Sequence, residues 1–357
     1  MTRDKHNGKI SFWKFMFSLM IVAFHLGFNY NNVKYNFRAG SIAVDFFFLV
    51  SGYLFCKKCL NLKLDNNKEI GKNTFDFFIN KVIKFLPYIV FLWIISIPFS
   101  ILVNNYTLLD FEKSFFNLLY IPIYNNSVSN IYGITWYISA MIIVESILFP
   151  LLVKFKKNFV YIISPIIVFF VGNYIFIKYG NIASPWSVDI FCYKGILRAL
   201  FGINLGMLLY VIKTRIEKMK LTDFSKFSLT IVEILGYLSI FVLVNKVDAH
   251  VKYGYLMIII FAICILISFS EKVYLNDFCN NKFFYYLEKL SLPIYLNQWF
   301  IIELVEFIIK KFAIQISYYY ELIFILAILI ILGVIEIKII KYVKSKWNNI
   351  KAIFIEK

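Results

Sequence analysis

Long apolar stretches, separated by short polar segments, alternate along almost the whole chain. Ten of them reach the length of about 20 residues that a helix needs to cross a bilayer. They lie at roughly 10–30, 39–56, 85–103, 133–153, 159–177, 195–212, 228–245, 253–270, 290–309 and 319–337. A helix satisfies its own backbone hydrogen bonds in lipid, so the pattern predicts ten transmembrane helices. The weakest is 39–56, because Asp45 lies inside it.

Two further segments could be mistaken for a different kind of element. The stretch 106–123 is partly apolar, but Asp110, Glu112 and Lys113 favour an interfacial helix and a loop over a span. The N-terminus resembles a signal peptide. Its apolar run is too long, contains Lys14 and lacks a small-residue cleavage site, so we interpret it as a retained first span.

Composition supports an integral membrane protein. The 357 residues are 61% hydrophobic and 17% charged, against about 45–50% and about 25% in soluble domains. We therefore predict an all-α, polytopic helical bundle that forms a single domain over 1–357, with no appended soluble domain. The expected location is the cell membrane, with the lipid bilayer as surroundings.

The net charge of +17 indicates topology rather than a nucleic-acid partner. If the N-terminus is cytoplasmic, Lys and Arg on the inside segments outnumber those on the outside loops by roughly three to one. Ten spans with both termini in the cytoplasm satisfy this bias. Cys56 and Cys59 form a single CxxC, which is weak evidence for zinc, so we expect reduced structural thiols and no metal site.

Polar side chains inside the predicted spans are the best functional candidates, since such residues usually face a cavity or a partner. They include Lys14, His25, Asp45, Ser51, Trp136, Glu145, Arg198, Tyr295 and Gln298. His25 and Asp45 fall at similar depth in consecutive antiparallel spans. A carboxylate beside an imidazole fixes its tautomer and stabilises the imidazolium, so this pair suits a general base. A buried histidine satisfied by another neighbour is the alternative.

Six segments, in order, carry a resemblance to a known family. They are KFMFSLMIVAFH (14–25), AGSIAVDFFFLVSGYLF (39–55), KVIKFLP (81–87), TWYISAMIIVE (135–145), RALFGINLGMLL (198–209) and LEKLSLPIYLNQWFI (287–301). Together they resemble the membrane acyltransferase-3 family over almost the whole chain. The family commonly has Arg at positions held here by Lys14, Lys81 and Lys84, and often His where this chain has Gln298. His25 is then the only imidazole within the predicted spans.

The resemblance implies transfer of an acyl group, usually acetyl, from cytoplasmic acyl-CoA to a hydroxyl of an envelope or exported carbohydrate. Acyl-CoA is then a substrate, and no permanently bound cofactor is expected. We expect Lys14, Lys81 and Lys84 on the donor phosphates, although the lysine-rich loop 57–84 also suits anionic lipid.

The remaining candidates take roles around that chemistry. We expect His25 to be the general base and Asp45 to orient it, and Arg198 to hold the acceptor or the developing oxyanion. We expect Trp136 and Tyr295 to form channel walls or a sugar platform, and Gln298 to orient a substrate. Glu145 is interpreted mainly as a salt-bridge partner of a cation within the membrane. Ser51 is either a close-packing residue, a third member beside His25 and Asp45, or the carrier of a covalent acyl group.

Three other functions stay open at this stage. A polysaccharide or lipid-linked sugar exporter without acyl transfer would also have about ten spans and buried polar residues. A membrane glycan polymerase would need larger outside loops than 104–132. A non-catalytic sensor is conceivable because of Lys14 and Gln298. For the acyltransferase, polysaccharide synthesis or export machinery is a further expected partner, and the sequence does not distinguish acetyl from succinyl.

Overall fold

The computed structural model describes residues 7–30, 37–63, 66–103, 107, 110, 130–188, 192–246, 249–270 and 272–355. Ten long helices dominate this part of the chain. They are α1 Gly8–Leu26, α2 Ala43–Asn61, α3 Asn67–Val103, α4 Trp136–Asn158, α5 Ser164–Tyr179, α6 Lys194–Ile216, α7 Asp223–Leu243, α8 Gly254–Phe269, α9 Lys282–Lys311 and α10 Tyr318–Ile355. The all-α prediction is confirmed.

Every predicted span overlaps one of these helices. Within the described residues, eight helical stretches are long and apolar enough to cross a membrane. One of them, Gly133–Tyr179, contains both α4 and α5, and α8 is a shorter apolar helix. A multi-pass membrane bundle is therefore supported. Ten crossings with both ends in the cytoplasm stay a prediction.

The polar segment 57–84 is not the loop that the sequence suggested. Most of it is helical, because α2 continues to Asn61 and α3 begins at Asn67 and runs on through Pro87 and Pro98. Residues 67–84 are too polar to be predicted as a membrane span from hydropathy, yet they form the first part of α3 and extend it beyond its apolar part. The proposed interfacial helix 106–123 lies almost wholly outside the described residues.

The join between α4 and α5 is a sharp kink. Lys156 has φ 52° and ψ −130°, and a π-helical turn follows at Phe159–Ile163. The Lys156 ammonium donates to the carbonyl oxygen of Cys59 at 3.4 Å and to that of Leu62. This side chain thus ties the kink to the end of α2.

The backbones of helices α2 and α6 are in direct contact at two glycines. A Cβ at Gly206 would lie 2.1 Å from the carbonyl oxygen of Leu49, and a Cβ at Gly52 would lie 2.1 Å from that of Ile203. Small residues of this kind let helices approach closely in lipid. The contact holds Asp45 on α2 beside Arg198 on α6.

Contacts between α1 and α2 show which residues share an end of the bundle. The two helices are antiparallel: Gly40 faces Phe24, the Phe17 and Phe46 rings are 4.7 Å apart, and Lys14 and Lys57 line one cavity. We call the end with Lys14, Lys57 and Lys213 the lysine end. The end with His25, Asp45 and Arg198 is the histidine end.

Candidate functional site

His25 lies near the end of α1 and is bound by an amide. Its Nδ1 is 2.9 Å from Oε1 of Gln298 on α9. Trp299 lies over the imidazole, with ring centroids 4.7 Å apart. The imidazole Nε2 has no hydrogen-bond partner among the described residues. One nitrogen is thus held in place and the other is left for a ligand.

Asp45 contacts a different partner from the one predicted. The Arg198 guanidinium donates from Nη2 to Oδ2 of Asp45 at 2.7 Å and from Nε to Oδ1 at 3.4 Å. Both side chains are only 1% exposed. The predicted hydrogen-bonded pair of His25 and Asp45 is therefore wrong. Similar depth does not imply contact, because the α2–α6 packing turns Asp45 toward Arg198.

The surroundings of Arg198 form a second polar cluster at the histidine end. The guanidinium lies 5.4 Å from the Trp136 ring, and its Nη1 is buried without a hydrogen-bond partner in the described structure. Nearby, Ser41 Oγ is 3.1 Å from Nε2 of His250. Burial, with Arg198 and Lys194 adding to it, lowers the pKa of His250 to about 3. The Nη1 group of Arg198 is therefore a hydrogen-bond donor that a ligand can use.

Tyr295 lies between the two clusters. Its hydroxyl donates to the carbonyl oxygen of Ile134 at 2.7 Å, and its ring centroid is 5.8 Å from that of Tyr137. Only 5% of Tyr295 is exposed. This bond fixes α9 to the segment just before α4, so Tyr295 braces the site as well as bordering it.

Glu145 forms a salt bridge, as the sequence suggested, although the cation precedes the apolar part of α3 and does not lie inside a predicted span. Its Oε2 lies 2.6 Å from Nζ of Lys81, and its Oε1 accepts from the Ser51 hydroxyl at 2.5 Å. The carboxylate is fully buried. Three helices, α2, α3 and α4, therefore meet at Glu145. Ser51 belongs to this junction and not to a group with His25 and Asp45.

The other two donor-site candidates differ in their partners. Lys14 is bound to Glu288 on α9, with Nζ and Oε1 2.5 Å apart. Lys84 lies within electrostatic range of Lys14, Lys81, Glu288 and Glu145, yet its only direct side-chain contact of a polar or cation–π kind in the described structure is with the Phe85 ring at 5.3 Å. Lys84 therefore has no carboxylate of its own in the described structure.

A cavity of about 640 Å³ opens at the lysine end. Its charged lining comprises Lys14, Lys57, Lys213, Asp277 and Glu288. Aromatic side chains of α2, α8 and the segment after α8 complete it, namely Tyr53, Phe269, Tyr274 and Phe278. The Tyr53 and Phe269 rings are stacked 3.7 Å apart. The cavity thus combines cations with flat apolar surfaces.

Sequence reasoning missed several of these residues. Glu288 is part of the LEKLSLP segment. Nothing in the sequence of either span indicates that it pairs with Lys14. Lys213 follows an apolar run and looks like any topology-setting lysine. Tyr137 lies next to Trp136 in a Trp-centred motif, which was the available clue. His250 lies between two predicted spans, where a histidine is expected to be exposed to solvent. Only the fold shows that it is buried.

Comparison with known proteins gives a family for this arrangement. The family model described as an acyltransferase domain, acyltransferase-3, matches residues 7–336. No curated protein and no solved structure matches the chain. The match includes α1 to α9 and the first half of α10, and with them every residue of the two clusters and the cavity. The chain therefore belongs to the membrane acyltransferase-3 family and is a membrane acyltransferase.

Proposed function

We propose that this protein transfers an acyl group, in the first place acetyl, from acyl-CoA to a hydroxyl of an envelope or exported glycan. The observation that carries the proposal is the layout of α1. Lys14 lines the cationic cavity, and His25, whose Nε2 has no hydrogen-bond partner among the described residues, follows eleven residues later. That separation is about 16 Å along a helix. One helix therefore connects a site for an anion with a site for proton transfer.

The cavity at the lysine end suits the nucleotide part of acyl-CoA. Lysine ammonium groups bind phosphate as point charges, and Lys14, Lys57 and Lys213 line the cavity. Tyr53 and Phe269 offer a flat surface to an adenine ring. Lys14 is paired with Glu288 and Lys213 with Glu217, so phosphate competes with these carboxylates. Lys84 does not line the cavity, but in the described structure it lies within electrostatic range of Lys14 and has no salt bridge of its own. Lys81 is held by Glu145, so we assign it to the junction first and to the donor second.

The histidine end suits the acceptor and the transfer itself. His25 Nε2 accepts the proton of the acceptor hydroxyl while that oxygen forms a bond to the thioester carbonyl carbon. The carbon–sulfur bond then breaks, and the departing thiolate takes the proton from His25. Arg198 Nη1 donates to the acceptor or to the oxyanion. The product is an ester of the glycan, and the other product is free coenzyme A.

The first test replaces His25. Purified protein in proteoliposomes is given labelled acetyl-CoA and a panel of envelope glycans, and ester formation and coenzyme A release are measured. His25→Ala removes the base, and we expect a loss of about 10²- to 10⁴-fold. Undiminished transfer by the folded variant contradicts the assignment. Absence of transfer and of coenzyme A release from wild-type protein with every acceptor favours an exporter.

The second test concerns the donor side. Lys84→Glu and Lys213→Glu each place a carboxylate where we propose phosphate, so we expect the KM for acyl-CoA to rise and kcat to change little. Lys72→Glu is the matched control, because Lys72 is an exposed lysine on α3 that neither lines the cavity, as Lys213 does, nor lies within electrostatic range of Lys14, as Lys84 does. Equal KM values in all three variants argue against this donor site.

A further inference from the structure

We propose that Gln298 is the positioning residue of His25 and that it fixes the imidazole as the Nδ1–H tautomer. This inference rests on the proposed function, since it concerns the base of that reaction. The sequence led us to expect Asp45 in this role. The structure instead shows an uncharged amide at the imidazole and sends the carboxylate to Arg198.

Hydrogen-bond chemistry assigns the proton. The Gln298 amide nitrogen donates to the carbonyl oxygen of Tyr295 at 2.7 Å, so the amide oxygen is the atom 2.9 Å from His25 Nδ1. An amide oxygen only accepts hydrogen bonds. Nδ1 must therefore carry the hydrogen in the neutral imidazole. The lone pair is then on Nε2, the nitrogen that has no hydrogen-bond partner in the described part of the chain.

Gln298 is itself held rigidly. It is fully buried, and its amide nitrogen is anchored to the backbone of α9 one turn earlier. The same turn is fixed by the Tyr295 hydroxyl on Ile134. The Gln298 amide consequently cannot flip without losing a buried hydrogen bond, which costs about 1–3 kcal/mol. This anchor makes one tautomer of His25 the stable one.

The charged groups on the neighbouring helices are occupied elsewhere. Asn29, just beyond α1, donates to Glu306 of α9, and Tyr30 donates to Glu321 of α10. Asp45 of α2 is bound to Arg198 of α6. Lys14 lies three turns away on α1 and is bound to Glu288 of α9. Among the described residues none forms an ion pair with His25 and only Gln298 hydrogen-bonds to it, so Gln298 sets its tautomer.

This arrangement distinguishes the site from a carboxylate–histidine pair. A carboxylate both fixes the tautomer and stabilises the imidazolium that forms during proton transfer. An amide fixes the tautomer but supplies no negative charge. Gln298 therefore orients a base whose protonated form gains less from its orienting partner than it would from a carboxylate, and exchange of the amide for a carboxylate should make the base stronger.

The tautomer can be measured without any enzymatic assay. The chain has three histidines, so ¹⁵N-histidine labelling in lipid bilayers gives few signals, and His25→Asn identifies those of His25. At about pH 8, above the usual pKa of histidine, we expect a protonated Nδ1 and an unprotonated Nε2 in wild-type protein. Gln298→Leu should shift His25 toward Nε2–H, the form that free imidazole side chains prefer. An Nε2–H tautomer in wild-type protein overturns the proposal.

A neighbouring amide provides the matched control. Asn297 is also buried and lies on the same helix, but its amide donates to Glu336 and to the Pro293 carbonyl oxygen. Asn297→Leu removes a comparable buried amide and should leave the His25 tautomer unchanged. A tautomer change in Asn297→Leu as large as that in Gln298→Leu would mean that general loosening of α9, and not Gln298, controls His25.

Activity gives a second readout. We expect Gln298→Leu to lower kcat/KM on the order of 10²-fold, and Gln298→Glu to move the acid limb of the pH–rate profile upward by about one unit or more. An unmoved limb in active Gln298→Glu refutes the positioning role. Failure of the proposed function looks different: wild-type protein then shows the Nδ1–H tautomer but transfers no acyl group.

Discussion

The buried pair of Asp45 and Arg198 allows a quantitative test of the site's architecture. We expect Asp45→Asn and Arg198→Met each to lower the free energy of unfolding by about 3–5 kcal/mol, because each leaves an uncompensated partner in a buried position. Both side chains are 1% exposed and the shorter contact is 2.7 Å. The double variant removes both charges and should be no less stable than either single one.

These values predict a strong coupling between the two sites. If each single change costs about 4 kcal/mol and the double change about the same, the coupling energy is about 4 kcal/mol, far above the ~0.3–0.5 kcal/mol within which independent sites add. His25→Asn combined with Asp45→Asn forms the control cycle. Its two sites share no hydrogen bond, so their effects should add.

Reversible unfolding in mixed detergent micelles provides the measurement. The six tryptophans give a fluorescence signal, and the four proteins of each cycle are compared at one lipid and salt composition. Additive effects of Asp45→Asn and Arg198→Met, together with coupling between Asp45 and His25, would refute the pairing described above. They would restore the pair that the sequence alone suggested.

Three further predictions follow from other parts of the fold. Gly206→Ala should abolish the folded bundle because its Cβ meets the Leu49 carbonyl, whereas Gly71→Ala, with nothing within 4 Å, should leave the monodisperse yield unchanged; equal yields would contradict the close α2–α6 contact. Ser51→Ala should lower stability by about 1–3 kcal/mol, since Glu145 loses a buried hydrogen bond, yet retain acyl transfer; a folded but inactive variant would instead support a covalent acyl group on Ser51. His250 has a folded pKa of about 3 against 6.5 ordinarily, so the unfolded chain binds the proton first. Its stabilisation is complete above pH 6.5 and falls by up to about 1.4 kcal/mol per unit below it; His250→Gln should flatten this loss in thermal unfolding, and an unchanged slope would refute it.

The sequence predicted the helices well because their signal is local. An apolar run of span length is helical for reasons that lie within the run itself. The boundary of α3 was wrong, since residues 67–84 are polar and leave no hydropathic trace of a helix. The extent of the helix beyond lipid depends on neighbours such as Lys81 and Glu145, which lie far apart in the chain.

Partnerships between helices were predicted only in part. The pairing of Glu145 with a cation could be inferred, because a buried carboxylate needs one. The choice between His25 and Arg198 as the partner of Asp45 depended on how α2 rotates against α6. That rotation is set by glycine contacts at Gly52 and Gly206 with backbone atoms, which a single sequence does not reveal. Gln298 was expected to contact a substrate, and its contact with His25 emerged only from the packing of α1 on α9.

The pairing of Asp45 with Arg198 also constrains how the bundle is made. The two residues are 153 positions apart, and a ribosome adding about 5–20 residues per second takes roughly 8–30 s to cover that distance. For this interval the α2 segment carries a carboxylate whose guanidinium partner has not yet been synthesised. Its final place in the membrane therefore depends on the arrival of α6. Helix α2 thus acquires the partner of its buried carboxylate only after α6 has been synthesised.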